Sequence, residues 1–183
     1  MADASGPSVA ARDDLAGVVD LFSWLTRAEL SQALSELAFK QRTAVEETAI
    51  TAAIDVAVGE YALVPAPPGS LSEEGEVAPQ TVSDPDDGVR AETVALAVGP
   101  AAFPSLPADA EDLPHILDLP ERDVDRAVLS EAVLSRLAED AIAAIGDGDA
   151  ERLETLADVT YDIEAWAPVD AAEIRERLVD ELD

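Results

Sequence analysis

The stretch Leu15-Ala16-Gly17-Val18-Val19-Asp20-Leu21-Phe22-Ser23-Trp24-Leu25-Thr26-Arg27-Ala28-Glu29-Leu30 decides the architecture of the amino-terminal half. Leu15, Val18, Val19 and Phe22 recur at i, i+3, i+4 and i+7, the spacing that sets apolar side chains on one face of a helix. Thr26 and Glu29 then stand as a capping box, hydroxyl and carboxylate each satisfying a backbone donor left free where a helix begins. Leu30, Ala33, Leu34, Leu37 and Ala38 line the apolar face of that second helix. A third, starting near Glu46, turns Ile50, Ile54, Ala57, Val58 and Tyr61 inward. Three such helices bury a common core. Trp24 is placed at the end of the first.

Ten of the twelve prolines lie between Pro65 and Pro120. Proline removes a backbone donor and stops helices, so the chain reads as a helical part, an irregular middle and a second helical part. Leu63 and Val64 precede an acidic Pro/Gly/Ser stretch, after which Val94, Leu96 and Val98 alternate with small residues at the period of a half-buried strand. The two segments are expected to pair as a hairpin across a disordered acidic loop. Residues 13–98 thus form a helical lobe with a β-hairpin and an acidic loop over 66–91. Residues 99–120 form an extended proline-rich connector pinned by Phe103, Leu106, Leu113, Ile116 and Leu117. Residues 121–183 form a second helical lobe. There Asp123 is placed to cap a helix running through Ile145 and ending at Gly146 and Gly148, Asp149 to cap the next, and Asp170 with Glu173 to open the last. The fold class is mainly α with a small β-hairpin, and three helices followed by two strands is the element order of a winged helix-turn-helix.

Forty of the 183 residues are Asp or Glu, eleven are Lys or Arg, and Lys40 is the one lysine, giving a formal charge of −29. A compact chain of this mass exposes roughly 8,000 Å2, so net charges stand about 17 Å apart if spread evenly. At about 1 M salt the Debye length is about 3 Å and this repulsion is screened, whereas at about 0.01 M it is about 30 Å. The acids are read as an adaptation to high salt with diffuse association of K+ or Na+. A pair of carboxylates in such a chain is poor evidence of catalysis.

The absence of cysteine excludes disulfides, thiolate catalysis and Cys-type zinc sites. No basic or apolar leader opens the chain and no run of about 18 uncharged apolar residues occurs, so a soluble cytoplasmic protein is expected, away from membranes. The acidic clusters at Asp84-Pro85-Asp86-Asp87-Gly88 and Asp147-Gly148-Asp149-Ala150-Glu151 miss the calcium-loop positions of Gly and Glu. No metal or other cofactor is expected. His115, the one histidine, has Asp112, Asp118 and Ser105 within reach in sequence. No nucleophile elbow surrounds any serine, so a small hydrolase centred on His115 is only an alternative and no catalytic residue is assigned.

Nucleic acid is an unfavoured partner. The third helix carries four acids between Glu46 and Tyr61 and no Lys or Arg, while DNA affinity rests on cations that neutralise phosphates. A DNA-binding transcription regulator would have to use Arg27, Lys40 and Arg42. Trp24 and Trp166 are read first as core residues; they are also the candidate partner-binding residues, since a large aromatic with a polar handle suits interfaces. The expected function is a non-enzymatic interaction module with a protein partner or a second copy of itself.

In Asp14–Phe22, Leu25–Leu30, Glu36–Lys40, Gly99–Pro104, Glu111–Asp118 and Tyr161–Asp170 the chain resembles an uncharacterised family of halophilic archaeal proteins, a domain of unknown function. The resemblance implies a haloarchaeal cytoplasm and supplies no activity, cofactor or site.

Overall fold

The computed structural model describes residues 9–77, 79 and 81–183. It is mainly helical with small antiparallel sheets, and its contacts divide it into two compact units between Val124 and Asp125.

The first unit opens with α1 (Val9–Asp20), β1 (Trp24–Thr26), α2 (Arg27–Lys40) and α3 (Glu47–Gly59). The capping box forms as the spacing requires: Glu29 N–H donates to Thr26 Oγ1 at 3.2 Å and Thr26 N–H to Glu29 Oε2 at 2.9 Å. β2 (Leu63–Ala66) and β5 (Ala95–Val98) pair antiparallel, as expected of these two segments, with Leu63 opposite Val98. The hairpin is, however, part of a three-stranded sheet. β1 pairs with the other edge of β5, Trp24 opposite Ala97, so the order is β1-β5-β2. Trp24 therefore belongs to a strand and not to the end of α1. Pro65 is tolerated because β2 lies at an edge, where a missing donor breaks no second ladder.

Leu15, Val18, Val19, Leu25, Leu30, Ile54, Leu63 and Leu96 meet in one core. Helix faces and sheet are thus the two sides of a single apolar layer.

The acidic segment 66–91 is ordered over its described residues, against the expectation of disorder. A 3-10 turn at Pro68–Ser70 leads into β3 (Leu71–Glu73) and β4 (Glu76–Val77), and β6 (Arg122–Val124) pairs with β3 to give a second sheet of order β4-β3-β6. Buried Leu71 and Val82 anchor this segment despite its polar composition.

The region 99–120 is less extended than expected, since it holds a 3-10 turn at Ala110–Asp112 and the short helix α4 (Leu113–Leu117). Leu113 is buried, but Phe103 and Leu106 are exposed and pin nothing. Backbone contacts do that work: Ser105 N–H donates to the Asp13 carbonyl at 3.0 Å and Ser105 Oγ to Asp14 Oδ1 at 2.6 Å. The approach requires Gly17. A methyl group there would stand 1.8 Å from the Ser105 carbonyl oxygen, so Gly17→Ala is expected to cost about 1–3 kcal/mol by overpacking. Gly146 has open space around the same position, and Gly146→Ala should instead stabilise by up to about 1 kcal/mol through helix propensity. Thermal melts of the two variants should move in opposite directions; a shared sign would refute the steric account.

The second unit comprises α5 (Arg126–Asp147), α6 (Ala150–Trp166) and α7 (Ala172–Leu182), with α6 packed against both others. Asp125, not Asp123, caps α5 by accepting from Ala127 and Val128 N–H, because Asp123 is taken up by β6. α5 runs past Gly146 and ends where Gly148 adopts the left-handed conformation, φ 65°. Asp149 caps α6 through Arg152 N–H, and that helix continues through Tyr161 and Ile163 to Trp166. α7 has no side-chain cap at its first position; Ala171 N–H is satisfied by Glu164 and Ala172 N–H by Asp170.

Candidate functional site

Two depressions flank α3 in the first unit. The larger, of about 510 Å3, lies between α2 and α3 and is bordered by Arg90 and Glu92 ahead of β5. The smaller, of about 220 Å3, is formed by Leu15 of α1, Leu34, Leu37 and Ala38 of α2, and Ile50 and Ala53 of α3, with no ionisable side chain in its lining. Exposed Val45 also lines it, and Phe39, 80% exposed, lines an adjoining depression with Lys40, Arg42 and Ala44 that shares Thr43 with it. On a chain of charge −29, an apolar hole next to an uncovered phenyl ring is a local exception in surface chemistry.

The residues singled out by sequence do not share one surface. Arg27 is 5% exposed at the start of α2, its Nη2 bonded to Asp55 Oδ1 of α3 at 2.5 Å. Lys40, at the far end of the same helix, donates to Asp112 Oδ2 at 2.6 Å and to the Asp109 carbonyl at 3.3 Å. Its hydrogen bond to Asp112 raises the lysine pKa and lowers that of the aspartate. Arg42 is exposed just beyond, at a left-handed φ of 54°. Two of the three cations are thereby engaged inside the protein.

Trp24 is 1% exposed and cannot meet a partner. Its indole N–H donates to the Ser72 carbonyl at 3.2 Å, and the Arg122 guanidinium lies 3.8 Å above its ring. Arg122 also holds both oxygens of Glu29, at 2.8 and 2.9 Å. Burial pushes the Glu29 pKa up, but these bonds and the Thr26 N–H outweigh it, and the carboxyl lies below its usual value. Trp166, in the second unit, is half-buried under Arg126 at 4.5 Å.

His115 sits exposed on α4, and the elements of a triad are not assembled around it: Ser105 donates to Asp14, and Asp112 accepts from Lys40. Among the described residues no cluster of three or more His, Asp or Glu side chains is arranged to hold a metal ion, and no helix is long and apolar enough to cross a membrane.

A family model described as a family of unknown function, DUF7109, matches residues 13–183, nearly the whole chain. The chain belongs to DUF7109. No curated protein and no solved structure matches it. Membership in DUF7109 brings no activity with it, so any site in this protein has to be argued from its own residues. Sequence reasoning passed over Phe39, Val45, Arg90 and Arg122. A signal for Phe39 was present: it falls outside the Leu30, Ala33, Leu34, Leu37 and Ala38 stripe, so an aromatic on that helix had nowhere inside to go. No local pattern marked Arg122, whose hydrogen-bond partners Trp24 and Glu29 lie more than ninety positions away along the chain.

Proposed function

We propose that this DUF7109 protein is a non-catalytic, salt-adapted cytoplasmic interaction module of haloarchaeal type, whose first unit is a winged helix-turn-helix used to bind a second copy of the chain. The element order α1-β1-α2-α3-β2-β5 with sheet order β1-β5-β2 supports the winged-helix reading. DNA is disfavoured by the helix that would enter the groove. Its exposed positions are Glu47, Thr48, Ala49, Thr51 and Ala52, Glu46 precedes them, and no base stands among them to meet a phosphate.

The observation that carries the proposal is the pairing of a knob and a hole on one surface. Phe39 projects beside an apolar depression large enough for a phenyl ring. A patch that presents both is self-complementary, and a two-fold axis lets each copy fill the other, repeating every contact twice. This is also where two strongly acidic copies approach without apposing carboxylates, with Arg42 at the rim to meet the acids that surround the patch.

Light scattering and sedimentation in about 3 M KCl are expected to give twice the mass of one chain at about 10–100 µM protein, a range typical of modest self-association. Phe39→Asp should return the monomer with unchanged helical content and melting. A monomeric wild type throughout that range overturns the proposal. Fluorescence anisotropy with duplex DNA over the same salts is expected to show no binding. DNA binding lost in Arg42→Ala would instead make the module a transcription regulator.

A further inference from the structure

α2 ends in a turn whose backbone favours glycine and carries arginine instead. Arg42 N–H donates to the Phe39 carbonyl at 3.1 Å and Thr43 N–H to the Ala38 carbonyl at 2.9 Å. These two bonds close a helix when the residue after its cap turns left-handed. Arg42 is that residue, with φ 54°. Glycine is preferred there because a Cβ is crowded in the left-handed conformation. The arginine is thus held against the local preference of the fold, and among the described residues no carboxylate of the same chain pairs with its exposed guanidinium. Arg126 and Arg177 alone share that condition, and Arg126 is stacked over Trp166.

The surroundings indicate a use. Arg42 shares one depression with Phe39, Lys40, Thr43 and Ala44, and Thr43 also lines the apolar hole. Lys40 is engaged by Asp112, which leaves Arg42 as the free cation of that surface. Val45 lines the hole, and Glu46 follows it, exposed and making no side-chain cap to α3. A Phe39 ring that enters the hole of a second copy carries Arg42, three positions on, to the rim where that copy's Glu46 stands. The two-fold axis repeats the contact in the other direction. Because the Debye length is already about 3 Å at 1 M salt, only charges in contact discriminate between partners in brine. We infer that Arg42 of each copy pairs with Glu46 of the other, and that this reciprocal pair, resting on the self-association proposed for the Phe39 surface, makes the contact specific for a second DUF7109 chain.

Exchange of the two charges tests the pair, read by sedimentation of the full-length protein in about 3 M KCl. Arg42→Glu and Glu46→Arg should each weaken self-association about tenfold or more, since each sets like charges together at both contacts. An equimolar mixture of the two single variants should recover the dimer at concentrations where each alone is monomeric, because one copy of each restores both pairs. Arg42→Gly should also weaken the dimer. On the monomeric Phe39→Asp background, however, the same change should raise the melting temperature by about 2–4 °C through relief of the left-handed turn. Undiminished dimers in both charge reversals, or a mixture that associates no better than its components, overturns the pair while the Phe39 contact stands. A fall in melting temperature with Arg42→Gly on that background overturns it too, since Arg42 would then serve the stability of its own chain. A wild type that stays monomeric overturns the self-association itself, and the pair with it.

Discussion

Dialysis from about 3 M KCl into about 10 mM salt is expected to lower the melting temperature by about 10 °C or more, a loss of several kcal/mol for a chain of this size. Forty acids face eleven Lys and Arg side chains, so even with every cation paired to a different acid, 40 − 11 = 29 carboxylates have none of their own. Internal pairs do not relieve this excess, since Arg27 with Asp55 and Arg122 with Glu29 each withdraw one cation along with one acid from the surface. α7 should loosen first. Glu173, Glu176 and Asp180 follow one another there at i+3 and i+4 spacings, where like charges repel along a single helix face. Hydrogen exchange at low salt should therefore show α7 amides losing protection before those of the β1-β5-β2 sheet. Matched ionic strengths of KCl and a more strongly excluded salt such as K2SO4 separate screening from general strengthening of apolar burial. Cooperative melting at an undiminished temperature in about 10 mM salt would refute the salt-adaptation account, and each acid would then need its own explanation.

What was legible in the sequence was local. The Thr26–Glu29 box is a relation between residues three apart, and the faces of α1, α2 and α3 repeat within a dozen positions, so both appear without knowledge of the rest of the chain. β5 announced itself by alternation. β1 did not, because Trp24-Leu25-Thr26 is too short to display a period and is a strand only because β5 offers it an open edge. The acidic segment misled for a related reason. Its Pro, Gly and acid content resembles that of disordered chains, but order there depends on a few distant anchors, Leu71 in the interior and β6 pairing from fifty residues downstream. The candidate sites divide in the same way. Arg27 was visible as a rare cation, but its unpaired Nη1 exists only once α3 has brought Asp55 to one side of the guanidinium and not the other.

Arg122→Ala is expected to be among the most damaging single substitutions in the first unit. The Arg122 side chain is almost wholly enclosed, and it joins pieces that are distant in sequence. Its terminal nitrogens grip Glu29 of α2 and the Trp24 carbonyl of β1, its Nε lies 3.4 Å from Glu73 of β3, and its plane covers the Trp24 ring. Cutting it back to alanine leaves Glu29 and Glu73 without their cation and opens a space above the indole. Removing one partner of a buried ion pair costs about 3–5 kcal/mol, a fall in melting temperature of about 10 °C or more. The pH dependence identifies the mechanism. Because the Glu29 pKa is depressed in the folded state, the carboxylate contributes stability that is fully present above its ordinary value near 4.5 and is lost as pH falls through the lower folded value. Wild-type stability should therefore decline on that acid limb, and Glu29→Gln should be less stable at neutral pH with a flatter limb below it. Arg122→Met combined with Glu29→Gln removes the charge pair while keeping most of the volume, so the double variant should recover part of the loss seen in Arg122→Ala. If Arg122→Ala melts within about 2 °C of the wild type, a shift of under ~1 kcal/mol, the guanidinium does not hold the two sheets and the amino end of α2 together.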